Sequence, residues 1–448
     1  MRHKTAPINR ITEGSITRQL LAFFFPILIG AFFQQLYNTI DAVVVGNYIG
    51  KEALAAVGGS TGTLINLLVG FFMGISSGST IIISQFYGAG KAEETQAAVH
   101  TAAALSVLGG ILLTALGVLF SPWALRLMGT PKDIFSYALS YMRIYFLGMT
   151  GNLLYNIGAG ILRAVGDSKT PLYFLIFSSV LNLLLDLCFV LLTPLGVNGV
   201  ALATILSQAV SALLILRRLS ETDDIYRLRI VKIRTDRVLL YKILHLGIPN
   251  GLQSVMYSLS NIIIQASINT LGTDSIASWT VYSKIDGLFW MTMSAFGIAA
   301  TTFSGQNFGA QKYDRVRKSV RAGLGLSAGV SVCLSAALVL FGADLYRLFT
   351  DDPAIIEQGI RILHTLTPFY ITYIFIEILS GTMRGAGDSL IPTLITCIGI
   401  CGTRILWILA VVPRWHDIQT IALSYPVAWI FTSLVFILYY RSGKWIHR

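Results

Sequence analysis

Few residues in this chain are equipped for chemistry, and those that are sit in apolar surroundings. Asp41 lies within PILIGAFFQQLYNTIDAVVVGNYIG, residues 26–50, where an ionised carboxylate is costly and by default functional. Gln34, Tyr37 and Asn38 add polar groups in the two turns before it, and helical spacing puts Gln34 and Asn38 on roughly its face. A second acid, Asp186, follows Asn182 by one helical turn in NLLLDLCFV. Two carboxylates sharing one cavity suit a site that must take and release a proton. Tyr37, Asn38, Tyr141, Asn156 and Thr204 are candidate donors to them. The open alternative is that each acid pairs separately with a buried donor, or that Asp41 snorkels to water near its helix end. Pro26 precedes Asp41 in the same helix, where a proline removes one backbone hydrogen bond and permits a kink.

The carboxy-terminal half carries a different polar set: Lys284, Asp286, Arg361, Glu377 and Arg404. Lys284 and Asp286 are two residues apart and share no helix face. Lys284 is a candidate partner for Glu377, or a candidate lining residue of a central cleft, as are Asp286 and Glu377. The run FWMTMSAF, residues 289–296, suits a cleft for flat cationic cargo through cation–π contact, with helix packing or lipid contact as the default.

Enzyme signatures fail on context. Residues 74–78 match G-x-S-x-G inside an apolar run, without the strand–turn–helix setting the motif needs. Gly88-Ala89-Gly90-Lys91 lacks the spacing and following hydroxyl of a phosphate-binding loop, which leaves an ion gradient as the expected energy source. The six histidines show no zinc spacing. Cys188, Cys333, Cys397 and Cys401 lie in apolar segments and read as packing residues. No metal site, cofactor or catalytic set is expected; the coupling ion would be H+ or Na+.

The elements that must position these residues are membrane helices. The 448 residues are 54% hydrophobic and 12% charged, about half the usual charged share of about 25%. Charge-free runs at 53–90, 95–125, 187–216, 243–273 and 418–440 each exceed the roughly 20 residues a bilayer requires. Residues 1–18 are polar and basic, without a leader's short apolar core and cleavage site, so the first span is expected to be retained. We read twelve spans, at 18–43, 53–82, 95–120, 134–161, 171–193, 197–218, 239–268, 275–303, 319–341, 355–382, 390–412 and 418–440. With both termini cytoplasmic, inside segments carry 24 Lys and Arg, including Arg2, Lys4, Arg10 and Arg448, and outside segments carry 5. That bias satisfies the positive-inside rule, so the net charge of +11 belongs to topology and not to nucleic acid.

The halves repeat. LRAVGDSKTP near residue 163 returns as MRGAGDSLIP near 384, with Arg163, Gly166, Asp167, Ser168 and Pro171 each 221 positions before their counterparts. The same offset pairs QFYGAGK with QNFGAQK, and a small indel separates Pro26 and Asn38 from Pro249 and Asn261. Six spans per repeat is an even number, so both repeats enter from one side, related by an axis along the membrane normal. In the repeated turn, Gly permits the reversal, Asp and Ser can bond the turn backbone or cap the next helix, and Pro suits its first turn. Gly70, Gly74 and Gly78 form a small-residue series suited to close helix approach. The expected organisation is an amino-terminal lobe over 1–218, a cytoplasmic linker over 219–238 and a carboxy-terminal lobe over 239–448. Asp41 and Asp186 have no acidic counterparts: Ile264 and Trp407 stand at the matching positions.

QQLYNTIDAVVVGNYIG, the paired QFYGAGK and GQNFGAQK segments, the two GDS turns and NLLLD, in that order, make the whole chain resemble the multidrug and toxic compound extrusion family. The resemblance implies two six-helix lobes in a V and export of small organic, often cationic, compounds across the cytoplasmic membrane in exchange for protons or sodium, by a protein read as a monomer. It implies an ion site in the amino-terminal lobe, as in the branch of DNA-damage-inducible transporters, at Asp41 and Asp186 with Asn182, Tyr37, Tyr141 and Thr204, and a kinkable proline at Pro26. Another branch places an acid in the seventh helix; this chain has Gln253, Asn261, Gln265 and Asn269 there and no acid. A lipid-linked oligosaccharide flippase of the same superfamily is the rival reading, disfavoured by twelve spans and few intramembrane cations.

Overall fold

A computed structural model describes residues 11–446. The described chain is helical and contains the expected twelve rods: α1 (Ile16–Ile49), α2 (Lys51–Gly88), α3 (Ala92–Leu127), α4 (Lys132–Leu147 continued by Met149–Ala164), α5 (Lys169–Leu192), α6 (Val197–Glu221), α7 (Arg237–Asn269), α8 (Thr273–Gly309), α9 (Tyr313–Arg347), α10 (Pro353–Ala386), α11 (Leu390–Ala410) and α12 (Ile418–Ser442). Among the described residues, nine of them are long and apolar enough to cross a membrane. The other three are α4, interrupted at Gly148, and α7 and α8, which carry more polar side chains. Arg2, Lys4, Arg10 and Arg448, used in the charge count, lie outside the described residues.

The helix starts show why the repeated turn has its sequence. The Asp167 carboxylate accepts the backbone N–H groups of Lys169 at 3.1 Å and Thr170 at 3.0 Å, capping α5. Asp388 accepts from Ile391 N–H at 3.4 Å and from the Tyr439 hydroxyl at 2.5 Å. Gly166 (φ 96°) and Gly387 (φ 104°) take the left-handed backbone that ends the preceding helix.

The chain divides into two compact units, Ala22–Gly251 and a second comprising the described residues through Leu21 together with those from Leu252 onward. This places the division away from the 219–238 segment. The reason is packing. Tyr226 and Leu228 of that segment are buried in the first unit's core with Ile81, Val99, Ile161 and Ile243. Backbone donors bind it as well: Arg229 N–H to His100 Nε2 at 3.0 Å, and Asp236 N–H to Thr101 Oγ1 at 3.2 Å. The start of α7 then packs on α2 through the small residues: a Cβ on Gly78 would lie 2.2 Å from the Ile243 carbonyl oxygen, and one on Gly74 2.4 Å from Gly251 Cα.

In the second unit a comparably close approach is between α8 and α10, where a Cβ on Gly385 would lie 2.4 Å from the Thr301 carbonyl oxygen. The same unit holds the start of the described chain. The Arg315 guanidinium donates to the carbonyls of Ile11, Glu13 and Gly14 at 3.0, 2.8 and 2.9 Å, and Lys312 Nζ donates to that of Thr12 at 3.0 Å.

Candidate functional site

In the first unit, α1 brings Asp41 to Asn182 and Asp186 of α5. All three are buried, at 7%, 1% and 0% exposure, which removes the reading of Asp41 as a snorkelling acid. With its amide oriented to satisfy both neighbours, Asn182 donates to Asp41 Oδ1 at 2.9 Å and to Asp186 Oδ2 at 3.2 Å. The two carboxyls also interact directly. Asp186 Oδ1 is buried and accepts no hydrogen bond from the described residues. One amide therefore bridges two acids, and one acid oxygen has no protein donor, an arrangement that can accommodate a proton.

Aromatic hydroxyls surround the pair. Tyr37, one turn before Asp41, is hydrogen-bonded to Thr204 of α6 and lies within electrostatic reach of Asp41. Thr204 Oγ1 in turn donates to the Val200 carbonyl at 3.0 Å. Tyr141 of α4 is within reach of both acids and stacks on Tyr145, with ring centroids 6.2 Å apart. Tyr145, hydrogen-bonded to Gln208, also faces Asp41. Sequence reasoning passed over Tyr145 and Gln208, although Tyr145 follows Tyr141 by one turn and Gln208 follows Thr204 by one turn, the spacing that found Asn182.

Three sequence candidates are placed elsewhere. Asn156 turns back on its own helix, donating to the Asn152 carbonyl at 2.9 Å and side chain at 3.0 Å. Gln34 and Asn38 are exposed, unlike Asp41. Pro26 lies inside an unbroken helical stretch, Ile16–Val44. The irregularity in α1 comes after the acid: Val45–Ile49 is a π turn, the kind of local widening found often at functional sites.

The second unit has its own partly open polar cavity of about 620 Å³, lined by side chains of α7, α8, α10, α11 and α12. Asp286 in its wall is 5% exposed and taken up by protein donors: the Tyr370 hydroxyl on Oδ1 and Trp290 Nε1 on Oδ2 at 2.6 Å. Glu377 accepts from the Tyr373 hydroxyl at 3.2 Å. Lys284 does not pair with Glu377. It is exposed and lies outside the cavity lining, because a two-residue step places it on the opposite side of α8 from Asp286. Arg361 pairs with Glu357 at the surface. Of the aromatic run, Trp290 and Met293 line the cavity, whereas Phe289 stacks on Tyr370 at 3.9 Å and Phe296 is core. Among the described residues, no group of three or more His, Cys, Asp or Glu side chains is placed to hold a metal ion, and the four cysteines are free thiols.

Comparison with known proteins bears on these sites. The MatE family profile matches residues 26–188 and 249–408, one stretch in each half. The probable multidrug resistance protein YoeA of Bacillus subtilis (strain 168) is 30% identical over 439 residues, covering 96% of this chain and 94% of that protein. The probable multidrug resistance protein NorM of Thermotoga maritima is 26% identical over 444 residues, covering 97% and 94%. Among solved structures, an outward-facing multidrug resistance MATE family transporter of the MOP superfamily shares the fold at a TM-score of 0.91, with 98% of each chain covered and 23% identity.

Proposed function

The chain belongs to the MatE family of multidrug efflux transporters, and from that premise we propose that it exports small organic, often cationic, compounds across the cytoplasmic membrane as a monomer, in exchange for protons. The observation that carries the coupling reading is the Asp41–Asn182–Asp186 cluster, with two buried acids on one amide and one acid oxygen without a protein donor. A proton entering this cluster neutralises one acid and removes the repulsion between them, which changes how α1 and α5 are held together. Pro26 and the π turn at Val45–Ile49 give α1 two places, one on each side of Asp41, to absorb that change. Both termini are assigned to the cytoplasm by the Lys and Arg bias. A family of multidrug exporters weighs against the oligosaccharide flippase.

The test is efflux of a cationic dye from everted membrane vesicles, with proton and sodium gradients imposed separately. The expected result is export driven by the proton gradient and abolished in Asp41→Asn while that protein still reaches the membrane. Export that follows the sodium gradient alone would replace the ion, and full export by Asp41→Asn would remove the site.

A further inference from the structure

The polar cavity of the second unit contains a buried guanidinium that no carboxylate of the described residues touches. Arg404, at the start of the last regular stretch of α11, is 2% exposed. Its one hydrogen bond to protein is weak, Nη1 to Asn261 Oδ1 at 3.4 Å, and its guanidinium lies over the Tyr425 ring at 3.8 Å. Nε is buried without an acceptor, and among the described residues no carboxylate is within ion-pair distance of it. The acids lining the same cavity do not touch it: Asp286, which accepts from Tyr370 and Trp290, attracts it only across a gap, and Glu377 accepts from Tyr373. Arg384, the other cation in the wall, spends donors on Ser380. A buried guanidinium donor without a contacting acceptor is an expensive feature for a fold to retain. Immediately before it, Cys397–Gly402 forms a π turn, a second irregularity of the kind that re-aims a functional side chain.

We infer that this cavity binds an aromatic compound bearing a carboxylate, the carboxylate pairing with Arg404 and the ring system held among Trp279, Tyr282 and Trp290. A guanidinium with a buried Nε and no carboxylate in contact can take one negatively charged group, and its planar fork matches a carboxylate's two oxygens. The aromatic walls supply stacking area, and Gln253, Asn261 and Gln265 supply neutral polar contacts that fix orientation. This deepens the exporter reading and rests on it: the ion is handled in one unit, and the other accepts a class of cargo whose charge is opposite to the cationic dyes.

The test is direct binding of anthracene-9-carboxylate and of its ammonium analogue, 9-(aminomethyl)anthracene, to the purified full-length chain in detergent, followed by fluorescence. The expected result in the unmodified protein is carboxylate binding at least about tenfold tighter than ammonium binding. Equal affinity, or a preference for the ammonium, overturns the assignment without any variant. Arg404→Gln should cost the carboxylate at least about tenfold and leave the ammonium analogue bound as before, and Arg404→Lys should fall between. If Arg404 serves only to pack Tyr425, both probes bind Arg404→Lys and the parent alike, which also overturns it. Asp41→Asn leaves carboxylate binding intact, so loss of ion coupling and loss of this pocket are read separately.

Discussion

The two units use one scaffold for two kinds of chemistry. Both are built around the same GDS turn and the same approach of small residues, with Gly160 set against Thr80 in the first and Gly381 against Thr301 in the second. The charges do not repeat. Ile264 and Trp407 stand where the first unit has Asp41 and Asp186, and Trp407 donates to the Thr420 carbonyl at 2.8 Å. Asp286 and Arg404 occupy positions that correspond to Ile65 and Leu183 in the first unit. The two repeats therefore share the residues that pack and cap the helices, and carry their charged side chains at different positions. In the first unit two acids share an amide; in the second an acid accepts from phenol and indole, and a guanidinium keeps a buried Nε without an acceptor.

The sharpest way to break this contrast is to neutralise one acid from each unit. Asp186→Asn is expected to lower proton-driven export in everted vesicles by about a hundredfold, the scale of losing one member of a buried, interacting pair. Asp286→Asn should stay within about threefold, because its oxygens are committed to internal donors. Equal losses would mean that both units couple to the ion.

Truncation reverses the order. Asp286→Ala strands the Tyr370 hydroxyl and the Trp290 N–H in a buried wall, at a cost of about 3 kcal/mol in thermal unfolding of the purified protein. Asp186→Ala should cost about 1 kcal/mol, since it abandons one donor, the Asn182 amide, which keeps its bond to Asp41, and Asp186 Oδ1 has no protein donor.

The smallest effect separates the matched glycines. A Cβ on Gly381 would lie 2.8 Å from the Gly297 carbonyl oxygen, which is backbone and cannot move aside, so Gly381→Ala should destabilise by about 2 kcal/mol. On Gly160 it would meet only the Thr80 hydroxyl, at 2.6 Å, which a rotamer change relieves. Gly160→Ala should fall within about 1 kcal/mol of neutral, helped by alanine's helix propensity. Comparable melting shifts would show that the two contacts are equivalent after all.

The helices and the acid cluster were legible because their signals are local. Long uncharged runs mark the spans, and Asn182 and Asp186 announce a shared face by their spacing. Tyr145 and Gln208 were not found, because what makes them relevant is the approach of α4 and α6 to α1, which no single helix records. Both π turns escaped for a related reason: VGNYI and CIGICG are apolar, glycine-containing stretches with nothing to distinguish a widened turn from a regular one. The polar 219–238 segment read as a tether because its charges dominate its composition. Tyr226 and Leu228, two apolar residues among them, are what fasten it to a core.

Helices α1 and α7 each change unit partway along, α1 between Leu21 and Ala22 and α7 between Gly251 and Leu252. A gene divided in the polar segment would therefore yield two polypeptides that each keep a stretch belonging to the other. The first would carry the start of α1, and the second would carry Arg237 to Gly251. Neither fragment could complete its own fold, so recovery of transport would require producing both in the same cell.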